Sequence, residues 1–205
     1  MSEPEFTVFV VDDDPAVCRG LSRLLGAAAY HARTFASPRD FLAQHDPSIP
    51  GCAVIDLVMP DGGGLELQRK LALSGVARPI IFLSGKGDIP TSVRAMRAGA
   101  VDFLTKPVGG DALLAAVRRA QEADARARES RGAVAAVAAN LAKLTPRERE
   151  VLNHVVAGRL NKQIAGDLGT VEKTIKVHRG RMMRKLGMRT VQDLVRLAER
   201  AGIRP

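Results

Sequence analysis

Five short apolar runs, each followed by a helical stretch, fill residues 6–120, and this alternation constrains the fold more than anything else in the chain. The runs cover residues 6–11, 30–35, the segment closing on Asp56, 79–83 and 101–104. Short runs of branched and aromatic side chains between turn residues read as buried strands. Apolar stripes at helical spacing lie between them: Val17, Cys18, Leu21, Leu24 and Leu25, then Leu65, Leu67, Leu71 and Leu73, and finally Leu113, Leu114 and Val117. Ser37-Pro38-Arg39-Asp40 reads as an N-cap with an acid at N3. Residues 90–98 form a weak helix closed by Gly99, and Asp111 is expected to cap the fifth helix. Strand–helix alternation predicts an α/β fold: a doubly wound, five-stranded parallel sheet with helices on both faces.

Four of the runs end on polar or charged residues: Asp12/Asp13, Asp56, Ser84 and Lys106. Parallel strands of an open α/β sheet deliver their carboxyl ends to one edge, where such sheets bind ligands. Alone, Asp56 before Pro60-Asp61-Gly62 reads as a strand-ending acid bonded to its own turn. Four segments converging on one edge favour a site instead. Two acids after the first strand plus Asp56 form a repelling, oxygen-rich nest that calls for a hard divalent cation, Mg²⁺ by preference. With the cation present, Asp56 can attack phosphorus to form an acyl phosphate. Ser84 can then hydrogen-bond one phosphoryl oxygen and Lys106 can pair with another.

Charge divides the chain more sharply than length. Residues 1–120 hold 13 basic and 13 acidic side chains, residues 121–140 hold 3 of each, and residues 141–205 hold 15 and 6 and so carry the whole net charge of +9. We therefore expect a domain at 1–120, a helical linker at 121–140 continuing the last helix with a break possible at Gly132, and a basic domain at 141–205. A disordered tether is the alternative for the Ala-rich linker. No secretory signal opens the sequence and no apolar stretch is long enough to span a bilayer, so a cytoplasmic protein with reduced thiols at Cys18 and Cys52 is expected. Absent Trp and a single Tyr argue against an aromatic-lined ligand pocket.

The basic domain reads as four helices. Thr145-Pro146-Arg147-Glu148 is a capping box, and Val151, Leu152, Val155 and Val156 form the stripe behind it. Gly158 stops that helix; Asn161 is expected to cap the next, which carries Ile164, Ala165 and Leu168. After Gly169-Thr170-Val171 a third helix covers 172–186, and a fourth carries Val191, Leu194, Val195 and Ala198. Helix, short turn, helix is the plan of a DNA-binding helix-turn-helix. On the third helix Ile175, Met182 and Leu186 share one face, and Lys173, Lys176, Val177, Gly180, Arg181 and Arg184 share the other. A basic face is usually only solvated. In a segment this basic, insertion into a DNA groove becomes the better reading.

Val11-Asp12-Asp13, Asp56-Leu57-Val58-Met59-Pro60-Asp61, Ser84-Gly85, Ala98-Gly99-Ala100-Val101-Asp102-Phe103 and Lys106-Pro107 together resemble the receiver domain of two-component response regulators over about residues 6–125. Gly85-Lys86-Gly87-Asp88 and Ala100-Val101-Asp102-Phe103 resemble its FixJ subgroup. The resemblance implies a flavodoxin-like receiver phosphorylated on Asp56 by a sensor histidine kinase. It also implies Mg²⁺ held by Asp13 and Asp56 directly, by Asp12 through water and by the Val58 carbonyl, and a switch pairing Ser84 with Phe103. From Leu144 to about Ile203 the chain resembles the LuxR/NarL/FixJ-type output domain, with Leu144-Thr145-Pro146-Arg147-Glu148, Asn161-Lys162-Gln163-Ile164-Ala165 and Thr174-Ile175-Lys176-Val177-His178 as signature. Carried over, Lys176 and Val177 face base edges, while Lys162, Arg179, Arg181 and Lys185 approach phosphates. Ser84 stands where Thr is frequent, Val58 where many relatives are polar, and Thr170-Val171 where Ile-Ser is common, which predicts a cap shifted to Thr170.

The favoured reading is a phosphorylation-switched transcription factor, not an enzyme. Because charge added at the receiver edge must bias a two-state element to reach the DNA helices, we expect it to homodimerise when phosphorylated and to bind an inverted repeat in double-stranded DNA. Three other readings compete. A Mg²⁺-dependent phosphohydrolase wants a second acid two residues beyond Asp56, where Val58 stands. A small-molecule-sensing regulator is opposed by the acidic cleft. A phosphorylation-independent DNA binder with a silent receiver is opposed by the intact set of Asp13, Asp56 and Lys106.

Overall fold

The computed structural model describes residues 5–60, 62–85 and 89–200, the last two without their side chains. Asp61, most of the Gly85-Lys86-Gly87-Asp88 motif and the two chain ends lie outside the described residues. The chain divides into two compact units, Met1–Arg128 and Glu129–Pro205.

The first unit alternates strand and helix as the apolar pattern predicts: β1 (Thr7–Val11), α1 (Pro15–Ala27), β2 (His31–Phe35), α2 (Pro38–Gln44), β3 (Gly51–Asp56), α3 (Gly64–Leu73), β4 (Ile80–Ser84), α4 (Ile89–Arg97), β5 (Asp102–Thr105) and α5 (Gly110–Ala142). All pairings are parallel, in the order β2-β1-β3-β4-β5. The central strands β1, β3 and β4 are buried throughout, which is why their sequences are near-continuous apolar runs and do not alternate. One face packs Val8, Val10, Val54, Ile81 and Leu83 against α1 and the first turns of α5. The other packs Phe9, Ile55 and Phe82 against α2, α3 and α4. Each such side chain contributes roughly 1.5–3 kcal/mol relative to leaving it in water.

Local chemistry sets the helix ends. Asp14 caps α1 by accepting from the Ala16 N–H at 2.7 Å, and Ser37 caps α2 by accepting from Asp40. Two expectations need correction. Asp111 is the second residue of α5, not its cap; there it complements the helix dipole from the first turn. Leu73 is 76% exposed, because α3 buries Leu67, Gln68 and Leu71, and Leu73, two residues after Leu71, falls on the opposite side of the helix. Helix α5 continues through Gly132 without a break.

The second unit holds α6 (Pro146–Val156), α7 (Asn161–Asp167), α8 (Glu172–Leu186) and α9 (Val191–Arg200). Val151, Leu152, Ile164, Ile175, Met182, Leu186 and Leu194 form its core. Both halves of the Thr145/Glu148 capping box form. The next two caps differ from expectation. Leu160, not Asn161, is the N-cap of α7, and its N–H donates to the Gln163 side chain at 2.9 Å. The Asn161 side chain accepts instead from Arg179. Val171 itself is the N-cap of α8 and offers no side-chain bond, so the cap does not shift to Thr170. No described helix is long and apolar enough to cross a membrane.

Candidate functional site

Strand order places the polar strand ends side by side. Asp12 and Asp13 follow β1, Asp56 closes β3, Ser84 closes β4 and Lys106 follows β5. Asp12 and Ser84 are 1% exposed, and Asp56 is 7% exposed. One carboxylate oxygen from each of Asp12, Asp13 and Asp56 lies within 4.8 Å of the others. Lys106 Nζ donates to Asp12 Oδ2 at 2.6 Å and lies 3.0 Å from Asp56 Oδ1. The Asp14 N–H fixes the other Asp12 oxygen at 3.0 Å.

Gly64 keeps this edge open. A Cβ there would stand 2.6 Å from the Asp56 carbonyl oxygen, so only glycine lets α3 start directly against the end of β3. The cavity above Asp56 measures about 810 Å³ and is lined by Leu57, Val58, Ser84, Thr91 and Lys106 among others. Val58 reaches it from an exposed position in the loop after β3.

Burial raises the Asp56 pKa above the usual carboxylate range; the Lys106 ammonium opposes the shift, and Asp12 and Asp13 add to it. Burial pulls the Lys106 pKa down, but its hydrogen bonds to Asp12 and Asp56 prevail and hold it high. Three carboxylates and one ammonium leave two negative charges in a recess built of oxygen donors. That donor set and charge fit a hard divalent cation such as Mg²⁺.

Phe103 is half-buried on β5, in register with Phe82, while Ser84 is in register with Thr105. Strand side chains alternate, so Phe103 and Ser84 stand on the same face, one repeat apart. Phe103 packs on the apolar layer beneath α3 and α4.

In the second unit α8 buries Ile175, Met182 and Leu186 and exposes Lys173, Lys176, Val177, Gly180, Arg181 and Arg184. Lys162 is exposed on α7. Lys176 reaches back 3.0 Å to Glu172. Two expected phosphate contacts are already engaged. Arg179 donates to Asn161 at 2.9 Å, and Lys185 donates to the buried Glu148 at 2.7 Å and to the Lys143 carbonyl. Lys185 thus supports the capping box, an assignment that sequence spacing does not reveal.

Sequence reading also passes over Gln68, whose amide donates to the Ala95 and Ala98 carbonyls at the end of α4. It passes over Asp14 as a cap and over the buried Asp124 and Arg78. A polar side chain on an otherwise apolar helix face is the signal that could have found Gln68 and Asp124.

Comparison with known proteins agrees with both halves. Residues 8–118 match the response regulator receiver domain, and residues 142–198 match the luxR family of bacterial regulatory proteins. The chain is 42% identical to the response regulator protein TmoT of Ectopseudomonas mendocina over 98% of its own length and 91% of the relative's. It is 37% identical to the transcriptional regulatory protein FixJ of Bradyrhizobium diazoefficiens, covering 96% of each chain. Among solved structures it resembles the response regulator StyR with a TM-score of 0.84 and 43% identity, over 95% of this chain and 98% of that one.

Proposed function

The chain belongs to the response regulators that join a receiver domain to a luxR-family DNA-binding domain, and from that premise we propose that phosphorylation of Asp56 by a sensor histidine kinase switches its binding to promoter DNA. The observation that carries the reading is the Lys106 ammonium held between Asp12 and Asp56 in one buried recess. A silent receiver has no need to bury Asp12 and Asp56 around a lysine with the exposed Asp13 carboxylate facing them, given the desolvation cost of each buried charge.

Asp12, Asp13, Asp56 and the Val58 carbonyl would hold Mg²⁺, which supplies charge neutralisation on the incoming phosphoryl group. The free Asp56 oxygen attacks phosphorus as the bond to the donor imidazole breaks. Lys106 keeps its place and transfers one hydrogen bond from the carboxylate to the phosphoryl group. Ser84, at the neighbouring strand end, orients toward a second phosphoryl oxygen. Phe103 on the same face then takes up the space that Ser84 leaves.

Exposed Ile89, Val93 and Met96 recur along one side of α4, and an apolar stripe of that kind supports homodimerisation across α4, β5 and α5. Two output domains paired by a symmetric contact suit an inverted repeat. Lys173, Lys176, Val177, Arg181 and Arg184 face the groove, with Lys162 beside them.

Acetyl phosphate with Mg²⁺ tests the reading. One base-labile phosphoryl group should appear per chain, and none on Asp56→Asn. Stoichiometric labelling without continued turnover separates a receiver from an aspartyl phosphohydrolase.

A further inference from the structure

The first unit carries a buried polar cluster at the edge of the sheet opposite the acidic recess. Asp124 on α5 is 3% exposed, in a stretch that is otherwise Ala, Arg and Glu. Its Oδ2 accepts from the Gly51 N–H at 3.1 Å and from Arg128 Nε at 2.7 Å. Arg128 then donates to the Ser48 carbonyl at 2.8 Å and to the Ile49 carbonyl at 2.6 Å. Arg78, 7% exposed, donates to the Asp46 and Ile49 carbonyls from the other side and lies 4.4 Å over the Phe9 ring. Gly51 is required here: a Cβ would meet the Thr7 carbonyl oxygen at 2.1 Å and Arg78 Nη1 at 3.1 Å.

The consequence is that α5 is fastened to β3 at both ends of the strand. At one edge Lys106, four residues ahead of α5, pairs with Asp56 at the end of β3. At the other, Asp124 holds Gly51 at the start of β3. The last apolar anchor of α5 in the sheet core is Ala120; beyond it, the Tyr30 hydroxyl donates to Gln121 at 3.4 Å, and the polar cluster holds the rest of 121–128. Arg128 is also the last residue of the first unit.

We propose that Asp124 and Arg128, backed by Arg78, form a latch that keeps residues 121–128 part of the receiver, so that the linker starts after Arg128 and its root is stiff enough to pass the receiver's state onward. These are positioning residues; none touches the acidic recess. The second half of the proposal rests on the phosphorylation switch described above.

Hydrogen exchange on the full chain tests the latch without assuming that switch. In the native protein, amides 121–128 should be protected like those of 113–120. Arg128→Ala and Asp124→Asn should raise exchange in 121–128 at least tenfold and leave 113–120 and labelling of Asp56 unchanged. Unaltered exchange in 121–128 for Arg128→Ala overturns the latch. If Asp124→Asn loosens the whole receiver, the half-exposed Arg128 variant decides. In the second arm, operator affinity is measured with and without beryllium fluoride. The native gain should fall severalfold in Arg128→Ala, and an undiminished gain overturns the coupling role. If the native protein itself shows no gain, the switch reading has failed, and the exchange arm still judges the latch.

Discussion

Lys106 Nζ stands 3.0 Å from Asp56 Oδ1 and is the cation that tempers the charge of that buried carboxylate. Asp56 has a raised pKa, so its ionised form is less favourable folded than unfolded. The sign follows: stability lost to Asp56 is largest above its folded pKa and recovers as pH falls below it.

Asp56→Asn should therefore stabilise the receiver at pH 7 without divalent ions. A gain of about 1 kcal/mol corresponds to roughly 3–6 °C in Tm for a unit of this size. Millimolar Mg²⁺ should raise the melting temperature of the native protein and leave the variant nearly unmoved. Calorimetry on the full chain reads both. A destabilised variant would mean that Asp56 is a structural acid.

Lys106→Met removes the compensating charge and leaves three facing carboxylates. Mg²⁺ should bind at least as tightly as in the native protein, because no ammonium competes for Asp12 and Asp56. Labelling by acetyl phosphate should nonetheless fall at least tenfold, since a charge-assisted hydrogen bond worth about 1.5–3 kcal/mol is lost. Titration calorimetry and labelling kinetics separate the two effects. Normal labelling would remove Lys106 from the phosphoryl site.

Glu148 gives a pH prediction in the other unit. Hydrogen bonds from Lys185 and from the Thr145 N–H hold its pKa below the usual range. A depressed acid stabilises the fold above its unfolded pKa, about 4.3, and that contribution disappears as pH falls through the lower folded value. The second unit should lose stability below about pH 4. Glu148→Gln should melt lower at pH 7 and show a flatter acid limb. A parallel limb would place the acid sensitivity elsewhere.

Much of this architecture is legible in the sequence because strands buried on both faces must be apolar throughout, so their polar ends stand out. Asp12, Asp56, Ser84 and Lys106 mark the edge for that reason. What stays hidden depends on contacts distant in sequence. Asp124 continues the buried face of α5 four residues after Ala120, a local hint that it turns inward, but its partner Gly51 lies 73 residues away and cannot be read locally. Lys185 looks like one more basic side chain of α8 until α6 brings Glu148 beneath it. The Asn161 cap failed because the Gln163 side chain reaches the Leu160 N–H, leaving Asn161 to Arg179.

For DNA, Lys176 and Lys162 should separate reading from holding. Lys176→Ala should cost about 1–3 kcal/mol at one base pair and relax preference there. Lys162→Ala should weaken all sequences alike and make the salt dependence shallower by about one unit of slope. Binding to a randomised operator library across salt concentrations checks both. Equal, sequence-independent losses would remove Lys176 from the reading role.

The exposed side of α4 yields the test of dimerisation. Ile89 is 75% exposed, Val93 42% and Met96 44%, and they recur at helical spacing on one face. None belongs to the buried core of the first unit, so a charge on that face costs little in the monomer, within about 0.5 kcal/mol for a surface substitution. In a dimer the same charge would be buried against its own copy, because a two-fold contact sets each patch on its equivalent. Ile89→Glu with Val93→Lys should therefore leave Asp56 labelling and melting temperature unchanged. With beryllium fluoride the native chain should double in mass by light scattering, and the variant should stay monomeric. Operator affinity of the variant should fall to that of the unphosphorylated protein, because two half-sites are no longer engaged together. A variant that still doubles in mass would move the dimer contact off α4. A native chain of constant mass but altered operator affinity would shift the switch to release along α5.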